Sequence, residues 1–212
     1  MKLFFARHGE SEANVLRVFS NRGGAHPLTE TGRRQAEALA ETLAGVSFAR
    51  VYASPLLRAR QTAELVARRL SAGPVIEAEA LREYDVGVLE GRSDEAAWAE
   101  YFRVAERWRD PRNRDERVEG GESYAGIRER FRRFVRSLID DAALKDGSDG
   151  RCANVLLVTH GGLLRVGLPA ILDGLSYGRM LETPIGNCGA VVAETRGEAL
   201  ASSSMWCILS GG

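Results

Sequence analysis

Lysine is almost missing from this chain of 212 residues: Lys2 and Lys145 stand against twenty-seven arginines. We read that imbalance as a bias of a GC-rich coding sequence rather than as a functional signal. Cysteine is nearly as scarce. Cys152, Cys188 and Cys207 are odd in number and far apart and form no CxxC pair, so neither a disulfide framework nor a zinc site is expected. Net charge of either sign is lacking, because the acidic and basic side chains balance to zero. No global field therefore recruits nucleic acid or an anionic membrane. Long apolar runs are lacking too. "LFFA" near the start is too short for a signal-peptide core and is followed at once by charge, and nothing approaches membrane-spanning length. A cytoplasmic protein with no membrane or nucleic-acid partner is expected.

What is present is ordinary globular material, 44% apolar and 27% charged, enough for one domain over residues 1–212. Residues 2–6 read as a buried strand. "HPLTETGRRQAEALAETLAG" reads as a helix with Thr29 as N-cap, an apolar stripe of Ala36, Leu39, Ala40 and Leu43, and Gly45 as the stop. A strand follows at 48–53, then Ser54-Pro55 as N-cap and first turn of a helix through "LLRARQTAELVARRL". "PVIEA" is a short strand, and "LREYDVGVLEG" lacks periodicity and reads as a loop.

Residues 93–122 differ in texture: a charged helix breaks at Asp110-Pro111, and a polar loop runs to Gly120-Gly121. This stretch is too short for a core of its own and is expected to be an insertion, or cap, on the main domain. Tyr124, Ile127, Phe131, Phe134 and Leu138 then recur at helical spacing. The arginines between those aromatics do not suggest a nucleic-acid surface, because the aromatics fall on the core stripe. "DGSDG" (146–150) is a turn, "ANVLLVT" (153–159) the clearest strand, and a helix covers about 162–172. Two β-rich stretches around a turn at Arg196-Gly197 close the chain and could offer a sheet edge for a homodimer.

Strands alternating with helices predict a three-layer α/β/α fold with a mostly parallel central sheet. Ligands of such folds lie beyond the carboxyl ends of the strands. That rim collects Arg7 and His8 after the first strand, Arg58 after the second, Glu83 after the third and His160 after the fourth. Two imidazoles, two guanidinium groups and one carboxylate make a poor metal site but suit a tetrahedral oxyanion, so no metal and no cofactor is expected. A neutral imidazole is a competent nucleophile. His8 could attack phosphorus while Arg7, Arg58 and His160 hold the oxygens, with Glu83 protonating the leaving alkoxide. The segment after His8 is expected to begin a helix whose free N–H groups add anion affinity. Asp85 and Glu90 compete with Glu83, and Glu90-Gly91 is expected to shape the loop. His26, before Pro27, is expected to be structural or exposed.

"ARHGESEAN", "ASPLLRARQTA", "LREYDVGVLEG" and "VTHGG" resemble the four ordered motifs of the histidine phosphatase superfamily, the phosphoglycerate mutase-like proteins. The resemblance runs through nearly the whole chain and is weakest over 93–122 and the C-terminal stretch. It implies the phosphoglycerate mutase-like fold and a metal-independent phosphohistidine mechanism. His8 would be the nucleophile, Arg7, Arg58 and His160 the phosphate pocket, and Glu83 the acid/base. Asn14, Ser20, Asn21 and Gly161 align with positions that touch phosphate or substrate. Mutases of the family tend to carry an ERxYG-like string and a longer insertion with a lysine and paired arginines. Here Val86 stands at the tyrosine position and the insertion has neither. The expected activity is therefore hydrolysis of a small phosphomonoester, with the broad-specificity and α-ribazole phosphatases as the nearest kind. A cofactor-dependent phosphoglycerate mutase is the alternative, and a non-catalytic phosphoryl-binding module the second. Arg112, Arg114 and Arg117 are read chiefly as a solvated loop, and secondarily as a contact for a second anionic group of the substrate.

Overall fold

The computed structural model describes residues 1–23, 25–145, 153–196 and 199–201. The turn expected at 146–150, Cys152, the turn at 196–197, and Cys207 with most of the last β-rich stretch lie outside the described residues. The elements run β1 (Lys2–Arg7), α1 (Glu12–Leu16), α2 (Glu30–Thr42), β2 (Arg50–Ala53), α3 (Leu57–Arg69), β3 (Val75–Glu77), α4 (Glu95–Arg107), α5 (Tyr124–Asp140), α6 (Ala142–Lys145), β4 (Asn154–Thr159), α7 (Gly161–Ile171), α8 (Tyr177–Glu182), β5 (Ala190–Arg196) and β6 (Ala199–Ala201). One sheet orders them β3-β2-β4-β1-β5-β6. The first four strands are mutually parallel, and β5 and β6 run antiparallel at one edge.

Strand alternation explains the layers. In β1, Leu3 and Phe5 face one side and Phe4 and Ala6 the other, and all are buried. Phe4 and Ala6 join Val51, Leu156 and Val158 under α2 and α3, whose contact faces are rich in alanine. Leu3 and Phe5 join Val155 and Leu157 under α5 and α7, through Ile127, Phe131, Leu163 and Leu164. A sheet covered on both faces reads as continuous apolar strands, as "KLFFAR" and "NVLLVT" do.

Thr29 caps α2 by accepting from the Gly32 N–H at 3.0 Å, and the backbone at Gly45 is left-handed just past the helix end. Two expectations are corrected, and one further helix is added. α3 begins at Leu57 rather than at Ser54-Pro55. The Ser54 N–H still pairs with the sheet through the Val158 carbonyl, and its hydroxyl is held by His160 and the Leu56 N–H, so it cannot cap the helix. In α5, Val135 takes the place in the core expected for Phe134, which is only partly buried beside Tyr52. α8 gives no signal in the sequence; Ser176 caps it and Tyr177 and Met180 anchor it. Residues 93–122 have no separate core: Ala97, Val104, Trp108 and Val118 enter the cluster under α5 and α7.

Candidate active site

Parallel pairing of β1 and β4 sets Arg7 opposite Thr159. The next residue of each strand, His8 and His160, therefore leaves the sheet at the same rim, and the two rings lie 5.0 Å apart, both buried. The glycine after His8 has a packing reason. A Cβ on Gly9 would lie 2.4 Å from the Gly32 carbonyl oxygen, and one on Gly32 would lie 1.9 Å from that of Glu10. Two backbones cross there with no room for a side chain, which bends the chain away and leaves His8 at the rim.

The helix expected directly after His8 starts only at Glu12. The N–H groups before it are already used: Gly9 donates to Thr62 Oγ1, Glu10 to Gln35 Oε1, Ser11 to Asn14 Oδ1 and Glu12 to the Pro27 carbonyl. They are anchors of the loop rather than ligands for an anion.

His8 Nδ1 lies 2.7 Å from its neighbour's carbonyl at Gly9, which fixes the proton on that nitrogen and leaves the lone pair on Nε2. Arg58 Nε donates to that Nε2 at 3.2 Å, and Arg58 Nη1 donates to the Ser20 carbonyl at 2.8 Å. Burial, then the Arg58 and Arg7 charges, hold the His8 imidazole well below 6.5, so it is neutral at pH 7. Burial and the same cations do the same to His160. His160 Nε2 lies 2.7 Å from Ser54 Oγ, which also accepts from the Leu56 N–H, so this contact engages Nε2 and leaves the other ring nitrogen, Nδ1, to be satisfied elsewhere. That Nδ1 is buried without a protein partner, as is Arg7 Nε, while Arg7 Nη1 donates to the Ile185 carbonyl at 2.7 Å. Such unmet polar atoms cost about 1–3 kcal/mol each, a cost that an anion at the site would offset. Burial lowers the Arg58 guanidinium to about 10, against the pull of Glu83 and Glu90, and it stays charged.

Glu83, half-buried in the cleft wall, accepts the Gly162 N–H at 2.9 Å and the Tyr84 N–H at 3.1 Å. Desolvation nonetheless raises its pKa above the usual 4.5, because it outweighs those bonds and the Arg58 charge. Its segment is clamped from behind. Arg130 grips the Ala80 and Arg82 carbonyls and pairs with both oxygens of Glu122, while Glu122 accepts the Asp85 N–H. Asp85 is turned away to Arg22, and Glu90 accepts the Asn21 and Arg22 N–H groups, as a loop-shaping residue does.

These residues line a cleft of about 370 Å³ with Arg7, His8, Asn14, Ser20, Asn21, Arg58, Glu83, Gly161 and Gly162 in its wall. His160 lies behind His8 rather than in the lining. Ser20 Oγ is bonded to His26 Nδ1 at 2.8 Å, and the Asn21 amide donates to the Tyr84 carbonyl, so both brace the wall. Asn14 Oδ1 accepts from the Ser11 N–H and hydroxyl, and the residue lies in the cleft lining. Arg112, Arg114 and Arg117 are not in the lining: Arg112 pairs with Asp110, Arg114 lies over the Tyr124 ring, and Arg117 is exposed. Of the remaining lining residues, Arg17, Phe19, Trp98, Tyr101 and Phe102 fall in the stretches 17–27 and 93–123, where the sequence offers no pattern that singles out a residue, and Arg165 falls outside both. Arg165 was legible in principle, one helical turn after Gly161. Arg17 carries left-handed backbone, φ 50°, at the end of α1, where a side chain costs roughly 1–2 kcal/mol. Trp98 Nε1 holds its carbonyl at 2.8 Å. Among the described residues, no three His, Cys, Asp or Glu side chains cluster as a metal site, and no helix is long and apolar enough to cross a membrane.

Comparison with known proteins agrees with this geometry. The family model described as "Histidine phosphatase superfamily (branch 1)" matches residues 3–206. The adenosylcobalamin/alpha-ribazole phosphatase of Salmonella typhi is 32% identical over 181 residues, covering 81% of this chain and 80% of its own. A 2,3-bisphosphoglycerate-dependent phosphoglycerate mutase of Gloeobacter violaceus is 34% identical over 91% of this chain and 84% of its own. Among solved structures, a mycobacterial glucosyl-3-phosphoglycerate phosphatase superposes with a TM-score of 0.77 at 27% identity, covering 94% of each chain.

Proposed function

The chain belongs to the histidine phosphatase superfamily, and from that premise we propose that it hydrolyses small phosphomonoesters through a phosphohistidine on His8. The observation that carries the reading is the setting of His8: its Nδ1 is held by the Gly9 carbonyl, its Nε2 accepts from Arg58 Nε, burial and two cations favour the neutral ring, and Glu83 lines the same cleft.

The substrate phosphate enters between Arg7 and Arg58, and His160, whose buried Nδ1 has no protein partner, completes the pocket from behind the lining once its ring presents an N–H. Taking Arg58 onto a phosphate oxygen draws its Nε off His8 Nε2 and frees the lone pair. Nε2 then attacks phosphorus in line, the P–N bond forms as the ester P–O bond breaks, and protonated Glu83 gives its proton to the departing alkoxide. Developing charge on the equatorial oxygens is met by fixed cations, the largest source of rate in phosphoryl transfer. In the second step Glu83, now a carboxylate, takes a proton from water. The resulting oxygen attacks phosphorus, and His8 leaves as the neutral imidazole it began as. The raised pKa of Glu83 suits it to both halves of the cycle. No step calls for a metal or a cofactor. Asn14 and Gly161 contact the bound ester, and Ser20 and Asn21 hold Arg58 in place.

The test is release of phosphate from p-nitrophenyl phosphate and from alkyl monoesters in EDTA, with His8→Ala as control. His8-dependent release supports the hydrolase. Interconversion of 3- and 2-phosphoglycerate in the presence of 2,3-bisphosphoglycerate, with little free phosphate, would mean a mutase. Phosphate binding without His8-dependent turnover would leave only a binding module.

A further inference from the structure

Glu83 sits in a stretch that has no regular structure to hold it: residues 82–86 lie in neither strand nor helix. No ladder of its own fixes where the carboxylate points, so its main chain must find partners elsewhere. It is held from outside, carbonyl by carbonyl. The Ala80 and Arg82 carbonyls accept from Arg130 Nη1 at 2.9 and 3.1 Å, and the Leu81 carbonyl between them accepts from the Thr159 hydroxyl at 2.6 Å. The Tyr84 carbonyl accepts from the Asn21 amide at 2.9 Å. The Asp85 carbonyl accepts the Glu122 N–H, and the Asp85 N–H donates back to the Glu122 carboxylate, both at 2.9 Å. Every one of these partners comes from a distant part of the chain.

Arg130 is the centre of this mount. Its backbone belongs to α5, rooted in the core by Ile127 and Phe131. Its Nε and Nη2 pair with the two Glu122 oxygens at 3.0 and 2.9 Å, which sets the guanidinium plane and leaves Nη1 for the two carbonyls. Among the described residues, other arginines that hold a main-chain carbonyl hold one; Arg130 holds two. Those two come just before Glu83, and the N–H that Glu122 accepts comes just after it. The pair therefore grips the chain on both sides of Glu83, yet neither residue lines the cleft. The approach is close: a Cβ on Gly121 would lie 2.8 Å from the Asp85 carbonyl oxygen. A partly exposed ion pair contributes little stability by itself, and water could satisfy the same carbonyls. What water cannot supply is a fixed direction.

We propose that Arg130, oriented by Glu122, is a positioning residue for the Glu83 carboxyl, aiming it from behind the cleft at the departing oxygen of the ester. This rests on the acid/base role proposed for Glu83 above and deepens it. The pair acts on the steps that move a proton through Glu83 and leaves in-line attack by His8 untouched.

Single-turnover rates with enzyme in excess test it, comparing release of an alcohol from an alkyl phosphate with release of p-nitrophenol from p-nitrophenyl phosphate. The first needs a proton from Glu83 and the second does not. Arg130→Met should slow alcohol release on the order of tenfold to a hundredfold, the scale for a reacting group displaced by about 1 Å, and leave p-nitrophenol release within about twofold. Glu122→Gln keeps an acceptor for the Asp85 N–H but loses the charge that holds Arg130, and should show the same split more weakly. Arg130→Lys keeps the charge without the fork and should recover part of the rate. If Arg130→Met does not fold, those two variants carry the comparison. Added to Glu83→Gln, Arg130→Met should cost no more than about twofold further, because the group it positions is already gone. Unchanged alcohol release, equal slowing of both esters, or a full further loss on top of Glu83→Gln would overturn the positioning role and leave the acid/base reading standing. A Glu83→Gln protein that slows both esters alike would overturn the acid/base reading itself, and the positioning role with it.

Discussion

The two walls of the cleft are built in different ways. On the sheet side, His8, Arg58 and Glu83 are tied by hydrogen bonds to the main chain or to one another and His160 to the Ser54 hydroxyl, and each stands at the end of a strand or in a segment pinned to one. On the other side, α4 presents Trp98, Tyr101 and Phe102, which meet Phe19 and each other chiefly through ring contacts. Phe102 remains 57% exposed. The first wall fixes atoms to within hydrogen-bond tolerance, as charge stabilisation demands. The second offers area and charge without fixed direction, so residues there can change without disturbing the first. Chemistry and selectivity are thus separated by the kind of force that holds each wall.

The sharpest test of that contrast is Glu83→Gln. It should lower kcat for alkyl phosphates by roughly a hundredfold to ten-thousandfold, the range for loss of a general acid. The first-turnover burst of p-nitrophenol from p-nitrophenyl phosphate, whose leaving group needs no proton, should be slowed far less, while hydrolysis of the phosphohistidine, which needs Glu83 as base, stays slow for every ester. The pH profile gives the sign. Glu83 must be protonated and its pKa is raised, so activity persists above 4.5 and falls as pH rises through the shifted value. His8 must be neutral and its pKa is depressed, so the acid limb lies well below 6.5. In Glu83→Gln the alkaline limb should vanish; if it persists unchanged, Glu83 is not the acid.

A smaller effect should come from Gly162→Ala. The added Cβ would lie 2.7 and 2.8 Å from the two Glu83 carboxylate oxygens and 2.7 Å from Tyr84 Cε1. We expect kcat to drop on the order of tenfold, about 1.4 kcal/mol of barrier, with KM for phosphate esters little changed. The adjacent Gly161→Ala meets only the flexible Arg7 side chain, at 3.3 Å, and should be milder. Equal losses in the two variants would mean that the wall holding Glu83 is more yielding than described. Smallest of all should be the joint change of Arg112, Arg114 and Arg117 to alanine. They lie outside the cleft, so KM should move less than about twofold, and stability should fall by about 0.5–1 kcal/mol from the Arg114–Tyr124 contact. A KM rise confined to multiply charged esters would extend the selective wall into this loop.

Much of the sheet side was legible in the sequence because strand ends are punctuated locally. "LFFARHG" and "VLLVTHG" each stop an apolar run at a histidine followed by glycine, and the parallel-sheet rule then brings them to one rim. The errors arose where a local signal was overruled by a distant partner. Ser54-Pro55 carries the pattern of a helix start, but the serine hydroxyl bonds to a histidine 106 residues away. Residues 9–12 resemble the approach to an anion-binding helix, but Thr62, Gln35 and Pro27 take their N–H groups. The selective wall was hidden for the same reason. Nothing near Arg17 says that Trp98 will lie beneath it, and the insertion's own arginines were the more obvious cations.

The place of β1 in the sheet has a consequence for how the molecule comes into being. Its neighbours are β4 and β5, from the last third of the chain. During synthesis the segment bearing His8 is made well before β4 and β5 and stays without those strand partners until more than a hundred further residues have followed. Pairing across so long a separation is slow and leaves an apolar strand exposed meanwhile. A nascent or truncated chain ending before β4 would hold His8, the proposed nucleophile, but neither His160 nor the strand that seats it beside His8. The reactive centre is therefore among the last parts of the molecule to exist, and its appearance reports that the whole sheet has closed.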